Sequence, residues 1–411
     1  MKVLILTASA GNGHNSTADK ITKKILSEYK DAEIKKVDMY KQFANKIKSW
    51  AFEKGYAFAC NHFVGIYNYF FKKSEKSTYE NRDKSKSNKE VYPMMAGVLN
   101  EIYSFKPDII VCTYIFTAIA ITNLRRYYNI PATVICMTLD YGVSPYWECA
   151  TAVDEMFLTD DYMIEPFLKR GFKRNQLIVS GIPVGDVFSE KTDIIKVRKD
   201  LGLENKFTLL VARSSFFSLK PKKLVAEFKK IKQPIQILIC NGKDKKGMEQ
   251  IEKYLKKEKL PHNIKQYGYI ENLGNIFSAS DLILTKGGGL TLTEALTKGV
   301  PTLIIDKLPQ QEIYNKKYFI DNNLGLSVDK SHSVSFWVNK LLDDKKLYNN
   351  MIENINKIRK LNTLDVFLNH IKSYKKADYS IIEPLIDSKK QIIKNVDKKR
   401  KEAIAKQKKW E

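Results

Sequence analysis

Cysteine is scarce and unpatterned in this chain: five in 411 residues (Cys60, Cys112, Cys136, Cys149, Cys240), an odd number with no C-x-x-C pair. That excludes a disulfide framework and a cysteine zinc site, and it predicts buried, reduced thiols. Long apolar runs are missing as well. The most hydrophobic passage, DIIVCTYIFTAIAITNL (Asp108–Leu124), is punctuated by threonines and falls short of the ~18 uninterrupted apolar residues a spanning helix requires. It predicts a buried strand followed by a buried helix. A mean hydropathy of −0.35 excludes a polytopic membrane protein. The start carries one lysine and a four-residue apolar run, Val3–Leu6, shorter than the ~7–15-residue core of a secretory signal. The expectation is a cytosolic chain.

Acidic residues are also in deficit, 46 against 70 Lys and Arg, which leaves a net charge of +24. Such an excess suits an anionic partner, whether nucleic acid, an acidic membrane face or a phosphate-bearing substrate; it equally suits a lysine-rich solvated surface. Charge alone does not choose among them.

What is present is regular. Short β-branched runs recur between helix-like segments: Val3–Leu6, Ile34–Val37, Asp108–Cys112, Thr133–Met137, Met156–Leu158 and Leu177–Val179, then Thr208–Val211, Ile235–Ile239, Asn263–Tyr267, Leu282–Leu284 and Thr302–Ile305. This alternation predicts an α/β protein with parallel sheets and helical crossovers. A length of 411 residues exceeds the roughly 250–300 at which single cores stop growing, so two domains are expected. The Gly- and Pro-bearing stretch SGIPVGDVFSEKTD (Ser180–Asp193) marks the hinge. Domains are expected over 1–188 and 189–370, followed by a helix and basic tail over 371–411. Two doubly wound domains facing each other form a cleft, with ligands at the carboxyl ends of the strands.

Three segments carry charge or aromatics without an obvious place in a core. Lys72–Glu90 is polar and reads as a loop. Ser49–Lys73 is packed with aromatics and bounded by lysines, which suits helices that either cap the core or press against lipid. Ser388–Glu411 is strongly basic, with Ile392, Ile393, Val396, Ala403 and Ile404 at loosely helical spacing. It reads as a membrane-surface helix or as a solvated tail.

Two glycine turns carry the chemistry. In SAGNGHNSTA the turn follows the first strand and ends at His14, with a helix expected over Ser16–Tyr29. In SDLILTKGGGLTLTEALTKGVPTLIIDKLPQQEIYN (Ser280–Asn315) a buried strand ends at Thr285, a triple glycine follows, and a helix is expected from about Thr291. Glycines let backbone amides approach a phosphate, and the helix N-terminus that follows offers unpaired N–H groups. Glu294, placed in the first turn of that helix, suits a ribose diol or merely stabilises the helix start. The order differs from a dinucleotide fingerprint and favours a nucleotide sugar. No cluster at metal-ligand spacing is visible, so no metal and no cofactor beyond the sugar nucleotide itself is expected.

Taken together, GNGHNSTADKI, DYGVSPYWE, VSGIPV, TKGGGLTLTEALTKGVP and PQQEIYN resemble the processive diacylglycerol glycosyltransferases and monogalactosyldiacylglycerol synthases. These are inverting, UDP-sugar-dependent enzymes of GT-B fold, related to the N-acetylglucosaminyltransferase of peptidoglycan synthesis. The resemblance spans roughly Met1 to Leu326. It implies that Gly288 and Gly289, with Thr291, hold the UDP diphosphate, Glu294 the ribose, and Gln311 and Glu312 the donor sugar, with Gly287 also in the donor-binding loop.

By the same resemblance Gly11, Asn12, Gly13, His14 and Tyr141 lie on the acceptor side. His14 and Asp140 are the candidates for taking the acceptor hydroxyl's proton, with Asp140 alternatively orienting His14, although Asp140 in the loop DYGVSPYW also suits an Asx-type turn. Arg213, in VARSSFFS, suits bidentate diphosphate binding or a plain surface role. The chain departs from the family at Ser144, where many members carry histidine, at Gly287 in place of proline, and at Gln310 in place of glycine.

The expected activity is hexosyl transfer from a UDP-sugar to a membrane lipid, diacylglycerol or a glycosyl-diacylglycerol, at the cytoplasmic membrane face, with an anionic membrane surface and no nucleic acid as partner. A transferase with a polyprenyl-linked acceptor, a UDP-sugar epimerase and a non-catalytic basic binding protein are the alternatives.

Overall fold

Eleven β-branched runs lead the chain into two separate sheets. The computed structural model describes residues 1–9, 13–44, 55, 63–76, 91–213, 217–270, 273–305, 308–380 and 389–407. Gly11, Asn12 and Cys60, most of Ser49–Lys73 and Lys72–Glu90, and the two ends of Ser388–Glu411 lie outside the described residues. The chain divides into two compact units.

The first unit comprises Met1–Ala59, Asn68–Pro183 and Asn362–Glu411. Its strands are β1 (Lys2–Thr7), β2 (Glu33–Asp38), β3 (Ile109–Cys112), β4 (Thr133–Met137), β5 (Glu155–Leu158) and β6 (Leu177–Val179). They pair in parallel in the order β2-β1-β3-β4-β5-β6. The inner strands β3 and β4 are almost wholly buried, as strands covered on both faces must be, whereas edge strand β2 (EIKKVD) shows its lysines to solvent.

Helices in this part of the chain include α1 (Gly13–Glu28), α2 (Met39–Phe43), α3 (Val64–Glu75), whose first turn clusters with the second unit, α4 (Tyr92–Phe105) and α5 (Ile115–Arg125). Helix α1 buries Thr17, Ala18, Ile21 and Ile25, a stripe at helical spacing. It starts three residues earlier than expected, so His14 sits inside its first turn. Cys112, Cys136 and Cys149 are buried and free; burial pushes the Cys112 thiol up to about 12.

The second unit comprises Cys60–Tyr67 and Val184–Leu361. Its strands are β7 (Thr208–Ala212), β8 (Gln236–Cys240), β9 (Asn263–Tyr267), β10 (Leu282–Thr285), β11 (Thr302–Ile305) and β12 (Gly325–Val328), all parallel, in the order β12-β11-β10-β7-β8-β9. The unexpected strand is β12. It lies on the edge, is only partly buried, and carries Gly and Ser where an inner strand would carry β-branched residues.

Three helices position this unit's loops: α6 (Lys245–Leu255), α7 (Gly289–Lys298) and α8 (Gln310–Asp321). Gly299 ends α7 in the left-handed region at φ 83°, a conformation that costs a residue with a Cβ, and turns the chain back into β11.

The C-terminal segment differs from expectation. After the second unit the chain returns to the first as α9 (Thr363–Ile371) and α10 (Lys389–Gln407). Phe367 is fully buried, with its ring 5.8 Å from that of Phe157, and Asp365 pairs with Lys24 of α1 at 2.7 Å. Ile392 and Val396 of α10 enter the first unit's core beside residues of α4. The apolar stripe expected to meet a membrane or to fray is therefore spent, at these two positions, on the protein's own core.

Candidate active site

A doubly wound sheet opens a crevice where its strand order reverses, because there the crossovers leave toward opposite faces. In the first sheet the reversal falls between β1 and β3, in the second between β7 and β10. β1 and β10, the strands that precede the two glycine motifs in the sequence, flank these two points.

At the first reversal, His14 of α1 makes a 2.7 Å hydrogen bond through Nδ1 to the carbonyl oxygen of Thr113, the residue after β3. A carbonyl can only accept, so Nδ1 carries the proton and Nε2 keeps its lone pair. Burial lowers the His14 pKa below the ordinary 6.5, with the bond to Thr113 opposing in part. The ring packs edge-on against Tyr114 at 4.8 Å, and Tyr114, Phe116 and Tyr146 continue as a row of partly buried aromatics. Near His14, Asn15 Nδ2 donates to Ser9 Oγ at 3.1 Å, and Ser9 donates to Asp38 at the end of β2.

Asp140 follows β4, the strand next to β3, so it shares the carboxyl edge with His14. Its carbonyl accepts from Thr159 Oγ1 at 2.9 Å, and Tyr141 beside it is buried. The Tyr162 phenol is pushed well up, by burial first and then by Asp160, Tyr141 and Asp140, which puts Asp140 within electrostatic reach of that ring. Ser144 caps a short 3-10 helix, Pro145–Cys149, accepting from Tyr146 N at 3.3 Å. Ser144 thus serves the local backbone.

At the second reversal, Gly288 is the N-cap of α7, with extended φ −71° and ψ 124° and no side-chain capping bond. Gly289 and Thr291 occupy the first turn, whose backbone N–H groups have no intrahelical acceptor. Glu294 lies one turn deeper than expected, because the helix begins at Gly289; it is 8% exposed.

The neighbouring α8 is sewn to this loop. Asn315 Nδ2 donates to the Gly287 carbonyl at 2.9 Å, and Lys286 pairs with Glu312 Oε1. A Cβ on Gly287 would stand 2.5 Å from the Glu312 carbonyl oxygen, so only glycine permits this approach. Three consecutive side chains at the start of α8 each hold a buried oxygen with no hydrogen-bond partner: Gln310 Oε1, Gln311 Oε1 and Glu312 Oε2. Replacing Gly287 by alanine is expected to force the loop from α8, weaken UDP binding about tenfold and lower the unfolding midpoint by a few degrees. Calorimetric titration and thermal unfolding check this; unchanged affinity and midpoint would refute it.

Arg213, after β7, is held elsewhere. Its Nη1 donates to Asn241 at 2.6 Å and its Nη2 to Asp244 at 3.0 Å, and Asp244 caps α6 through Gly247 N. Both terminal nitrogens are thus bonded within the protein, while the buried Nε has no partner.

Lys286, Asn315 and Thr113 did not emerge as site residues from the sequence. Asn315 sits three residues after Glu312 on one helix, a spacing that puts both on one face. Thr113 acts through its backbone, which no residue type announces.

The comparisons with known proteins follow this division of the chain. Residues 14–184 match the family described as monogalactosyldiacylglycerol (MGDG) synthase, and residues 193–358 match glycosyl transferases group 1. One region is thus similar to monogalactosyldiacylglycerol synthases and the other to glycosyl transferases, and the chain is a glycosyltransferase. A curated relative, the processive diacylglycerol beta-glucosyltransferase of Bacillus licheniformis, is 27% identical over 379 residues, which cover 90% of this chain and 94% of the relative.

Among solved structures, MurG of Acinetobacter baumannii aligns with a TM-score of 0.56 at 15% identity, over 90% of this chain and 99% of that one. The UDP-GlcNAc 2-epimerase of Neisseria meningitidis aligns with a TM-score of 0.56 at 14% identity, over 90% and 100%. These two share the GT-B-like fold with this glycosyltransferase, and a fold that hosts a transferase and an epimerase does not choose the reaction. Among the described residues no helix is long and apolar enough to cross a membrane, and no group of His, Cys, Asp and Glu is placed to hold a metal ion.

Proposed function

We propose that this glycosyltransferase moves a hexose from a UDP-sugar to the hydroxyl of a membrane lipid, diacylglycerol or a glycosyl-diacylglycerol, with inversion at the anomeric carbon. The observation that carries the donor reading is the sequence of polar groups along the second-unit site. Unpaired N–H donors at the start of α7 suit a diphosphate. The buried acceptor oxygens of Gln310, Gln311 and Glu312 suit a ligand rich in hydroxyls. Donors beside acceptors match a diphosphate joined to a sugar, with Glu294 one turn further along for the ribose.

On the acceptor side, His14 Nε2 is the base that takes the acceptor's proton as its oxygen attacks the anomeric carbon and UDP departs. Asp140 steadies that end of the site. Tyr114, Phe116 and Tyr146 supply apolar surface beside His14, suited to the glycerol and acyl portions of a lipid. The positive end of α7 stabilises the charge that develops on the leaving diphosphate. Turnover is therefore expected to survive chelation of divalent ions.

Attachment to an anionic leaflet uses the net charge of +24, since each basic residue near such a surface contributes about 1 kcal/mol. It also uses α3, which buries none of its residues: Phe63 just before it, then Ile66, Tyr69 and Phe70, are 50–65% exposed, and Lys72 and Lys73 follow.

One assay tests the reading. UDP-glucose or UDP-galactose is supplied with and without diacylglycerol in anionic vesicles, with lipid products read by mass spectrometry and NMR. UDP release only with lipid, a β-linked glycolipid, and sedimentation with the vesicles at low salt are expected. Sugar isomerisation without acceptor would favour an epimerase, and an α-linked product would remove the inversion.

A further inference from the structure

The Gln311 side chain is bonded to a residue from a distant part of the sequence. Its Nε2 donates to the hydroxyl oxygen of Tyr67 at 2.6 Å, across 244 residues. Tyr67 lies in the first turn of α3 and clusters with the second unit. The opposite end of the same amide, Oε1, is buried and has no partner.

A primary amide can present either end to a ligand, and burying an unbonded acceptor is costly unless something holds it there. We infer that Tyr67 is a positioning residue for the donor sugar: by engaging Nε2 it fixes the Gln311 amide with its carbonyl oxygen directed to a sugar hydroxyl. The oxygen then needs no rotation when the hydroxyl arrives, and the rotamer entropy of the glutamine is already spent before binding. A hydroxyl that can donate is recognised, whereas a group that can only accept is rejected.

This inference rests on the reading that Gln311 faces the sugar. It concerns the sugar and not the diphosphate, since α7 supplies the groups for the latter. The N-terminal aromatic segment thereby contributes one residue to donor recognition as well as an apolar face to solvent.

The test is a double-mutant cycle on the full chain with Tyr67→Phe, Gln311→Ala and the double variant. Each is titrated with UDP and with whichever of UDP-glucose and UDP-galactose the wild type turns over. Tyr67→Phe and Gln311→Ala are each expected to raise the Kd of the sugar nucleotide about tenfold and to leave that of UDP within twofold. The double variant is expected to be no worse than Gln311→Ala alone. In turnover, KM for the donor rises while kcat changes little.

If Gln311→Ala weakens sugar-nucleotide binding and Tyr67→Phe does not, or if the two effects add, the positioning role is overturned and the Gln311 reading stands. If Gln311→Ala has no effect on the ratio of the two affinities, both fall. Should Tyr67→Phe weaken UDP and the sugar nucleotide equally, with a lowered unfolding midpoint, Tyr67 merely holds the fold; Tyr67→Leu serves as a second variant and is expected to repeat the selective loss.

Discussion

Replacing His14 by alanine is expected to lower kcat by about 10²–10⁴-fold, the range a positioned general base contributes, with little change in donor KM. The expectation follows from three observations. The ring is fixed by its 2.7 Å bond to the Thr113 carbonyl and by the edge of Tyr114. The bond assigns the proton to Nδ1 and leaves Nε2 as base. Burial lowers the pKa, so the ring is neutral at physiological pH.

A base works unprotonated, so kcat/KM stays flat on lowering the pH through 6.5, the ordinary histidine value, and falls only below it. The same shift acts on stability: the folded state disfavours the protonated ring, so His14's contribution is fully present above pH 6.5 and is lost as the pH falls through its lowered folded-state pKa. A wild-type profile that breaks above pH 6.5, or near-normal turnover of the alanine variant, would contradict the assignment.

The second large effect is expected at Glu294. Its carboxylate sits buried in the second turn of α7, beyond the N-terminal N–H groups that suit the diphosphate. A hydrogen bond to a charged group contributes about 1.5–3 kcal/mol, and a ribose diol offers two. Glu294→Ala is therefore expected to lower kcat/KM for the UDP-sugar by at least about 10²-fold, mostly through KM. The wild type should discriminate against the 2′-deoxyribose analogue of the donor, and the variant should not. Equal discrimination in both proteins would show that Glu294 serves the helix and not the ribose.

Much of the architecture was legible locally. Inner strands such as Thr133–Met137 are continuous apolar runs because both faces are covered, and the two glycine turns declare themselves by composition. What escaped has a common cause. Strand β12 lies at an edge, where burial asks little of its residues. The starts of α1 and α7 fell two or three residues earlier than expected because glycines and a histidine, poor helix formers, occupy their first turns. Lysine 286 reads as one more lysine in a basic chain until Glu312 is seen beside it.

The sequence alone determined that two parallel α/β sheets form, that glycine turns leave β1 and β10, and that the motifs around them resemble those of a glycosyltransferase family. Those are properties of hydrophobic period and residue type, which act over a few positions. Only the tertiary structure decided that β1 and β10 flank the points where strand order reverses, and that His14 meets the backbone carbonyl of Thr113, just after β3. It also decided that Asn315 ties α8 to Gly287, that Tyr67 holds Gln311, and that Ile392 and Val396 enter the first core. These are pairings between distant positions, several made through backbone atoms that every residue possesses, so no local pattern marks them.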